Sequence, residues 1–265
     1  MNPLRIGIVA EATGLPVRQA IAQAAQMAAE GLQVDAVGDL APDALGATGR
    51  REFRNVLRSF NQELAALHVP LRRGLDAAEN LQPRLDHVRK VMQLAFDLGC
   101  RRVVVPCPKI PDDPNTPRAQ TLRESLQVLG SHGDRVGTVL ALEIGFDPTE
   151  KVKSYLAGFD TGSVKITYDP ANLLIHGHDP VANLAPLKGL LAHVHARDAR
   201  SASLSRGMQE VPVGAGDVDW MAFTATLQVL DFDGFLVVDR EQGDTKLADI
   251  TNGVKFLRRF ATPLG

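Results

Sequence analysis

Val164-Lys-Ile-Thr-Tyr-Asp169 is a β-branched, apolar run closed by a carboxylate, and its reading decides the fold. Three further stretches follow the same grammar: Val139-Leu-Ala-Leu-Glu143, Leu190-Leu-Ala-His-Val-His195 and Phe235-Leu-Val-Val-Asp239. Each reads as a buried strand, and each ends in a side chain able to ligate a divalent metal. Four such ends in succession imply parallel strands delivering their last residues to one shared mouth.

Outward from these stretches, strand-like and helix-like segments alternate along the whole chain. Strands are expected over 4–9, 32–37, 64–69 and 102–106, then up to Glu143, Asp169, His195 and Asp239. Helical patterns fall between them at 16–30, 48–61, 83–98, 117–132, 149–156, 179–187, 220–230 and 244–260. Pro16 suits a first helical turn, and Gly99 suits a helix C-cap. Strands alternating with helices imply a mainly parallel sheet. Eight units in 265 residues favour a closed α/β barrel, a single (β/α)8 TIM barrel over 1–265. An open dinucleotide-binding sheet would need a G-x-G-x-x-G turn, and the first turn here is Glu11-Ala-Thr-Gly-Leu-Pro16. The irregular stretches 106–117 and 198–219 both follow strands, which places them on the face that carries active sites.

Composition bounds the function. Hydrophobic residues make up 45% and charged residues 23%, as in a globular protein with a sizeable core. A net charge of −2 argues against nucleic acid as a partner. The short pairs Arg50-Arg51, Arg72-Arg73 and Arg258-Arg259 read as solvated helix faces. Cys100 and Cys107 form no C-x-x-C pair, so a reducing compartment is expected. The N-terminus lacks the apolar core of a signal peptide. No stretch reaches membrane-span length, so the expected location is the cytoplasm, with no membrane partner.

In a barrel, Glu143, Asp169, His195 and Asp239 would converge from strands five to eight. Three carboxylates and an imidazole suit one divalent ion, Mn²⁺, Mg²⁺, Co²⁺ or Zn²⁺. Such an ion can polarise a sugar carbonyl while neighbouring carboxylates move a proton. Each residue also has a plain structural role open to it. Glu143 can cap a helix, Asp169 can begin an Asx turn before Pro170, and Asp239 can pair with Arg240 or Arg101. His193 and His195 share a strand face, and either can be a packed core histidine. His176 and His178 read as exposed loop residues, His87 and His132 as surface helix residues. Four such roles falling together at four consecutive strand ends are the less economical account.

These motifs resemble the xylose isomerase-like barrels, a superfamily of sugar and sugar-phosphate isomerases and epimerases. The resemblance rests on Leu142-Glu-Ile-Gly145, Tyr168-Asp-Pro-Ala-Asn172-Leu173, His193-Val-His-Ala-Arg-Asp198 and the Gly-Ala-Gly-Asp stretch 214–217. It implies that Glu143, Asp169, His195 and the acid ending the eighth strand bind the metal. It also implies acid–base catalysis by Glu143 with Asp239 or Glu241. Substrate contacts would come from Glu11, His68, Asn172, His193, Arg197, Asp198 and Arg200. Asn172 stands where relatives often carry a histidine, and Ala215 where they often carry an acid. Asp239 replaces the usual glutamate and is one methylene shorter, with Glu241 two residues on at the same parity.

The leading expectation is a metal-dependent isomerase or epimerase acting on a small sugar-like molecule. An inosose dehydratase-like lyase would use the same metal, and a non-catalytic sugar-binding barrel is the reading from a different class. A nuclease acting at abasic sites would need more histidines and a basic surface. A homodimer is compatible with the outer helices, and neither the sugar nor its phosphorylation is fixed.

Overall fold

The computed structural model describes residues 3–203 and 207–261. Eight parallel strands close into a barrel. In chain order they are β1 (Arg5–Val9), β2 (Gly31–Asp35), β3 (Glu63–His68), β4 (Arg102–Pro106), β5 (Val139–Ile144), β6 (Val164–Tyr168), β7 (Leu191–Ala196) and, after a hairpin, β10 (Phe235–Val238). The hairpin is β8 (Asp198–Ser203) paired antiparallel with β9 (Gly207–Val211). It lies beyond the end of β7, and β10 closes the ring by pairing with both β7 and β1.

Successive strand residues point to opposite faces, and the sequence obeys this closely. Ile6, Ile8, Leu32, Leu67, Val103, Val105, Leu140 and Leu142 are fully or almost fully buried in the main core cluster. Ala66, Val104 and Ala141 belong to a separate small cluster. Ala66 and Ala141 share parity with His68 and Glu143, so small side chains underlie the polar ends. Gly7 and Gly31 are direct partners on β1 and β2. A Cβ on Gly7 would lie 2.7 Å from the Gly31 carbonyl oxygen, and one on Gly31 would lie 2.9 Å from the Phe235 ring. Glycine at 31 therefore leaves room for Phe235 near the base, where the Arg5 guanidinium stands 4.2 Å from that ring.

The outer helices are α1 (Val17–Gln26), α2 (Ala47–Ser59), α3 (Leu81–Leu98), α4 (Pro117–Val136), α5 (Thr149–Leu156), α6 (Pro170–Ile175), α7 (Trp220–Val229) and α8 (Lys246–Ala261). Gly99 closes α3 at φ 82°, as its position implied. The helix expected over 179–187 is reduced to a single 3-10 turn, Ala185–Leu187. The helix after β6 is instead α6, which Asp169 caps and Pro170 opens. Strand two ends at Asp35 and not at 37, and α1 stops at Gln26, just before Ala28 at φ 59°. The stretch 198–219, read as irregular, contains the β8–β9 hairpin. Among the described residues no helix is long and apolar enough to cross a membrane. Cys100 and Cys107 are both buried and unpaired.

Candidate metal centre at the barrel mouth

Glu143 comes from β5, His195 from β7, and Asp169 from the residue after β6. One ligand atom from each lies within 4.8 Å of the others. His195 Nδ1 is 3.4 Å from Glu143 Oε1. It is buried and makes no hydrogen bond among the described residues. The other ring nitrogen, Nε2, is 2.9 Å from Gln33 Oε1. Gln33 is buried on β2 and reaches His195 through the barrel interior. With Nε2–H donating to Gln33, Nδ1 is the ring nitrogen that faces the two carboxylates. Burial opposes charge on Glu143, but the facing His195 outweighs it and holds the carboxyl down at about 2. Burial likewise opposes charge on His195, and Glu143 overcomes it to raise the imidazole to about 8.

Arg197 stands behind this group and is itself buried. Its Nη1 donates to Asp169 Oδ2 at 2.8 Å, and its Nη2 pairs with Glu241 Oε2 at 2.9 Å. Its Nε lies 3.4 Å from Glu210 and 3.9 Å from Asp239. Asp169 Oδ1 accepts the Asn172 N–H, so the same carboxylate caps α6. Burial raises the Asp169 and Asp239 carboxyls, with Arg197 pulling both down. Burial also raises Glu241, again opposed by Arg197.

A cavity of about 300 Å³ opens in front of the group, lined by Glu11, Gln33, Asp35, His68, Glu143, His195, Asp239, Arg240, Glu241 and Lys246. On its far wall, His68 Nδ1 is 2.7 Å from Asp35 Oδ1. Glu11 accepts the Asp35 N–H at 2.8 Å, and burial raises its carboxyl to about 6.

A family model described as "Xylose isomerase-like TIM barrel" matches residues 21–260. The chain belongs to the xylose isomerase-like TIM barrel family. A xylose isomerase domain protein from Planctomyces limnophilus superposes with a TM-score of 0.84 over 98% of this chain and 97% of its own, at 20% identity. A 3-keto-D-glucoside 4-epimerase from E. coli gives a TM-score of 0.77 over 97% of this chain and 99% of its own, at 19% identity. These likenesses show the fold. By sequence, an inosose dehydratase of Lacticaseibacillus casei is 23% identical over 145 residues, 48% of each chain. One from Geobacillus kaustophilus is 28% identical over 110 residues, 36% of this chain and 35% of its own. The chain thus spans about half or less of the length of these curated relatives.

Within this xylose isomerase-like barrel, the sequence-selected residues divide into three groups. Glu11, His68, Glu143, His195, Asp239 and Glu241 all line the mouth cavity. Asp239 lies outside the close group of three ligand atoms, and its Oδ1 accepts the Arg240 N–H. Asp169, Asn172 and Arg197 pack directly behind, with Arg197 Nη1 3.4 Å from Asn172 Oδ1. Asp198, His193 and Arg200 are not brought to the cavity. Asp198 is fully buried, and its carboxylate accepts N–H groups from Ala199, Gly214, Gly216 and Val218 and from the Trp220 indole. That carboxylate organises the loop after the hairpin and has no lone pair left for a sugar, which corrects its expected role as a substrate contact. His193 is fully buried, with both ring nitrogens unpartnered and its ring centroid 5.5 Å from that of His195. Arg200 is exposed on the hairpin.

Gln33, Asp35, Glu210, Arg240 and Lys246 were missed. Gln33 and Asp35 carried a signal, being the polar positions of an alternating strand with the parity of a mouth-facing residue. Glu210 carried none, because its partners come from distant parts of the chain.

Proposed function

We propose that this xylose isomerase-like barrel is a divalent-metal-dependent isomerase or epimerase of a sugar or related polyol, moving a proton beside a carbonyl group. The observation that carries the reading is the convergence of Glu143, Asp169 and His195 with their ligand atoms within 4.8 Å. The buried, unpartnered Nδ1 of His195 beside two carboxylates is a donor set that fits a divalent ion. Asp239 or Glu241 would supply a further oxygen. When bound, the ion provides Lewis-acid polarisation of substrate oxygens.

The chain's own groups account for the rest. Glu143, held ionised, is the base on one side of the cavity. Asp239 and Glu241, which line the same cavity, serve as the second proton carrier, with Glu241 steadied by Arg197. Asp35 holds Nδ1 of His68, so that Nε2 is left to orient a substrate hydroxyl. Glu11, near 6, can hold or release a proton close to neutral pH.

Metal content of the purified protein and of Glu143→Gln and Asp239→Asn tests the reading. About one divalent ion per chain, lost or sharply weakened in both variants, is the expected result. Failure of the wild type to take up Mn²⁺ overturns it. A dehydratase is the second reading, favoured by the partial likeness to inosose dehydratases. Product analysis on a keto- and aldo-sugar panel separates the two, because elimination changes the mass by one water and epimerisation does not.

A further inference from the structure

Glu210, on β9 of the hairpin, is a buried carboxylate with unusually complete company. The backbone N–H groups of Glu241 and Gln242, just after β10, donate to its two oxygens at 3.0 and 2.9 Å. Arg197 Nε lies 3.4 Å from one oxygen, and Arg240 Nη1 lies 3.3 Å from the other. Its side chain is 2% exposed. Two adjacent main-chain amides and two guanidinium groups make the kind of cradle that binds a phosphate. In (β/α)8 barrels, the loops after the seventh and eighth barrel strands are where a substrate phosphate commonly sits. Here these loops are the β8–β9 hairpin and the segment after β10.

We infer that the Glu210 carboxylate fills this anion cradle from within the chain, so that the substrate is an uncharged polyhydroxylated molecule and not a phosphate ester. The inference builds on the proposed sugar chemistry and narrows its substrate class. The remaining cavity wall agrees with it. Glu11, Asp35, Glu143, Asp239 and Glu241 all face the space. Of the cations there, Arg240 is held on its other edge by Asp249 at 3.0 Å. Lys246, opposite that many carboxylates and with His68 and His195 already facing Asp35, Gln33 and Glu143, is a poor host for a phosphate dianion, whereas hydroxyl groups find abundant acceptors. The acidic wall therefore disfavours phosphorylated relatives of the substrate as well as welcoming the neutral one.

Inorganic phosphate is the probe, used on metal-loaded wild type and on Glu210→Ala, with calorimetry and thermal melting in phosphate against chloride of equal ionic strength. The expected result is no saturable phosphate binding by wild type. Glu210→Ala should melt lower in chloride, recover on adding phosphate, and bind phosphate at least roughly tenfold more tightly than wild type. Glu210→Ser is read in the same way if Glu210→Ala does not fold in chloride. Saturable phosphate binding by wild type overturns the inference, as does a pair of variants that phosphate neither tightens onto nor restores. Both readouts are independent of turnover. A protein that binds metal yet converts no sugar would count against the proposed reaction and leave this result standing.

Discussion

Replacing Gln33 by leucine keeps much of the side-chain volume but removes the acceptor for His195 Nε2. The imidazole then loses the contact that fixes its tautomer and aims Nδ1 at Glu143 and Asp169. Partners of this kind typically govern metal affinity 10–100-fold, so Gln33→Leu should weaken Mn²⁺ binding by roughly that factor. Calorimetry measures the affinity, and ¹⁵N shifts of the His195 ring in metal-free protein, read well above pH 8 where the imidazole is neutral, report the tautomer directly. An unchanged tautomer with unchanged affinity would remove Gln33 from the account. Glu11 gives a second test at this scale. Burial is the main cause of its raised value, and the neighbouring Asp35 charge adds to it. Its carboxyl should titrate near 6 by ¹³C NMR, and Asp35→Asn should lower that value. Because the folded value lies above the unfolded one, ionised Glu11 opposes folding above about 6. Glu11→Gln should therefore melt slightly higher than wild type at pH 8, and this advantage should vanish below the unfolded carboxyl range. Glu11 is exposed by surface area, so solvent screening keeps the gain small.

Among the elements, the hairpin and the loop that follows it form the least legible part of the chain. Strands β5, β6, β7 and β10 announce themselves through β-branched runs, and their polar ends follow from parity. That is why Glu143, Asp169, His195 and Asp239 could be placed in advance. Strand β8 reads Asp198-Ala-Arg-Ser-Ala-Ser203, with no β-branched residue and no apolar alternation, so local pattern gave no reason to expect pairing. The resemblance implied a substrate contact for Asp198 because it follows the histidines of strand seven. Its true company is the main chain of residues 214–218, which no sequence pattern names. A Cβ on Gly216 would lie 2.1 Å from Asp198 Oδ1, which shows how tightly the loop closes on the carboxylate. Asp198→Ala would leave several buried N–H groups without partners, and about 3–5 kcal/mol of stability should be lost. Chemical denaturation measures this. A loss below about 1 kcal/mol would mean that the loop finds other acceptors.

For the whole molecule, the metal reading ties ligand binding to folding. An ion that binds the native state alone stabilises it by about 2.7 kcal/mol at a hundredfold excess over Kd. For a chain of this size that corresponds to a rise in Tm of roughly 5–10 °C. Mn²⁺ added to chelator-treated protein should produce this shift in wild type and a much smaller one in Glu143→Gln. Equal shifts in both would place the ion elsewhere. The barrel closure itself was readable from eight alternating units, whereas the 3-10 turn at Ala185–Leu187 was not. Pro180 and Pro186 interrupt that segment and shorten what apolar spacing alone would extend.

The bond between Gln33 and His195 joins opposite halves of the chain. Strands β5 to β7 and the residue following β6 carry the three grouped ligands, while β1 to β3 and their ends carry Glu11, Gln33, Asp35 and His68. Neither half by itself holds a finished site: one has donors without the residue that aims the imidazole, the other a cavity wall without donors. Closing the ring is therefore also the act that brings Gln33 onto His195 and fixes the direction of its imidazole. A chain cut between β4 and β5 could regain full metal affinity only through reassembly of its two fragments.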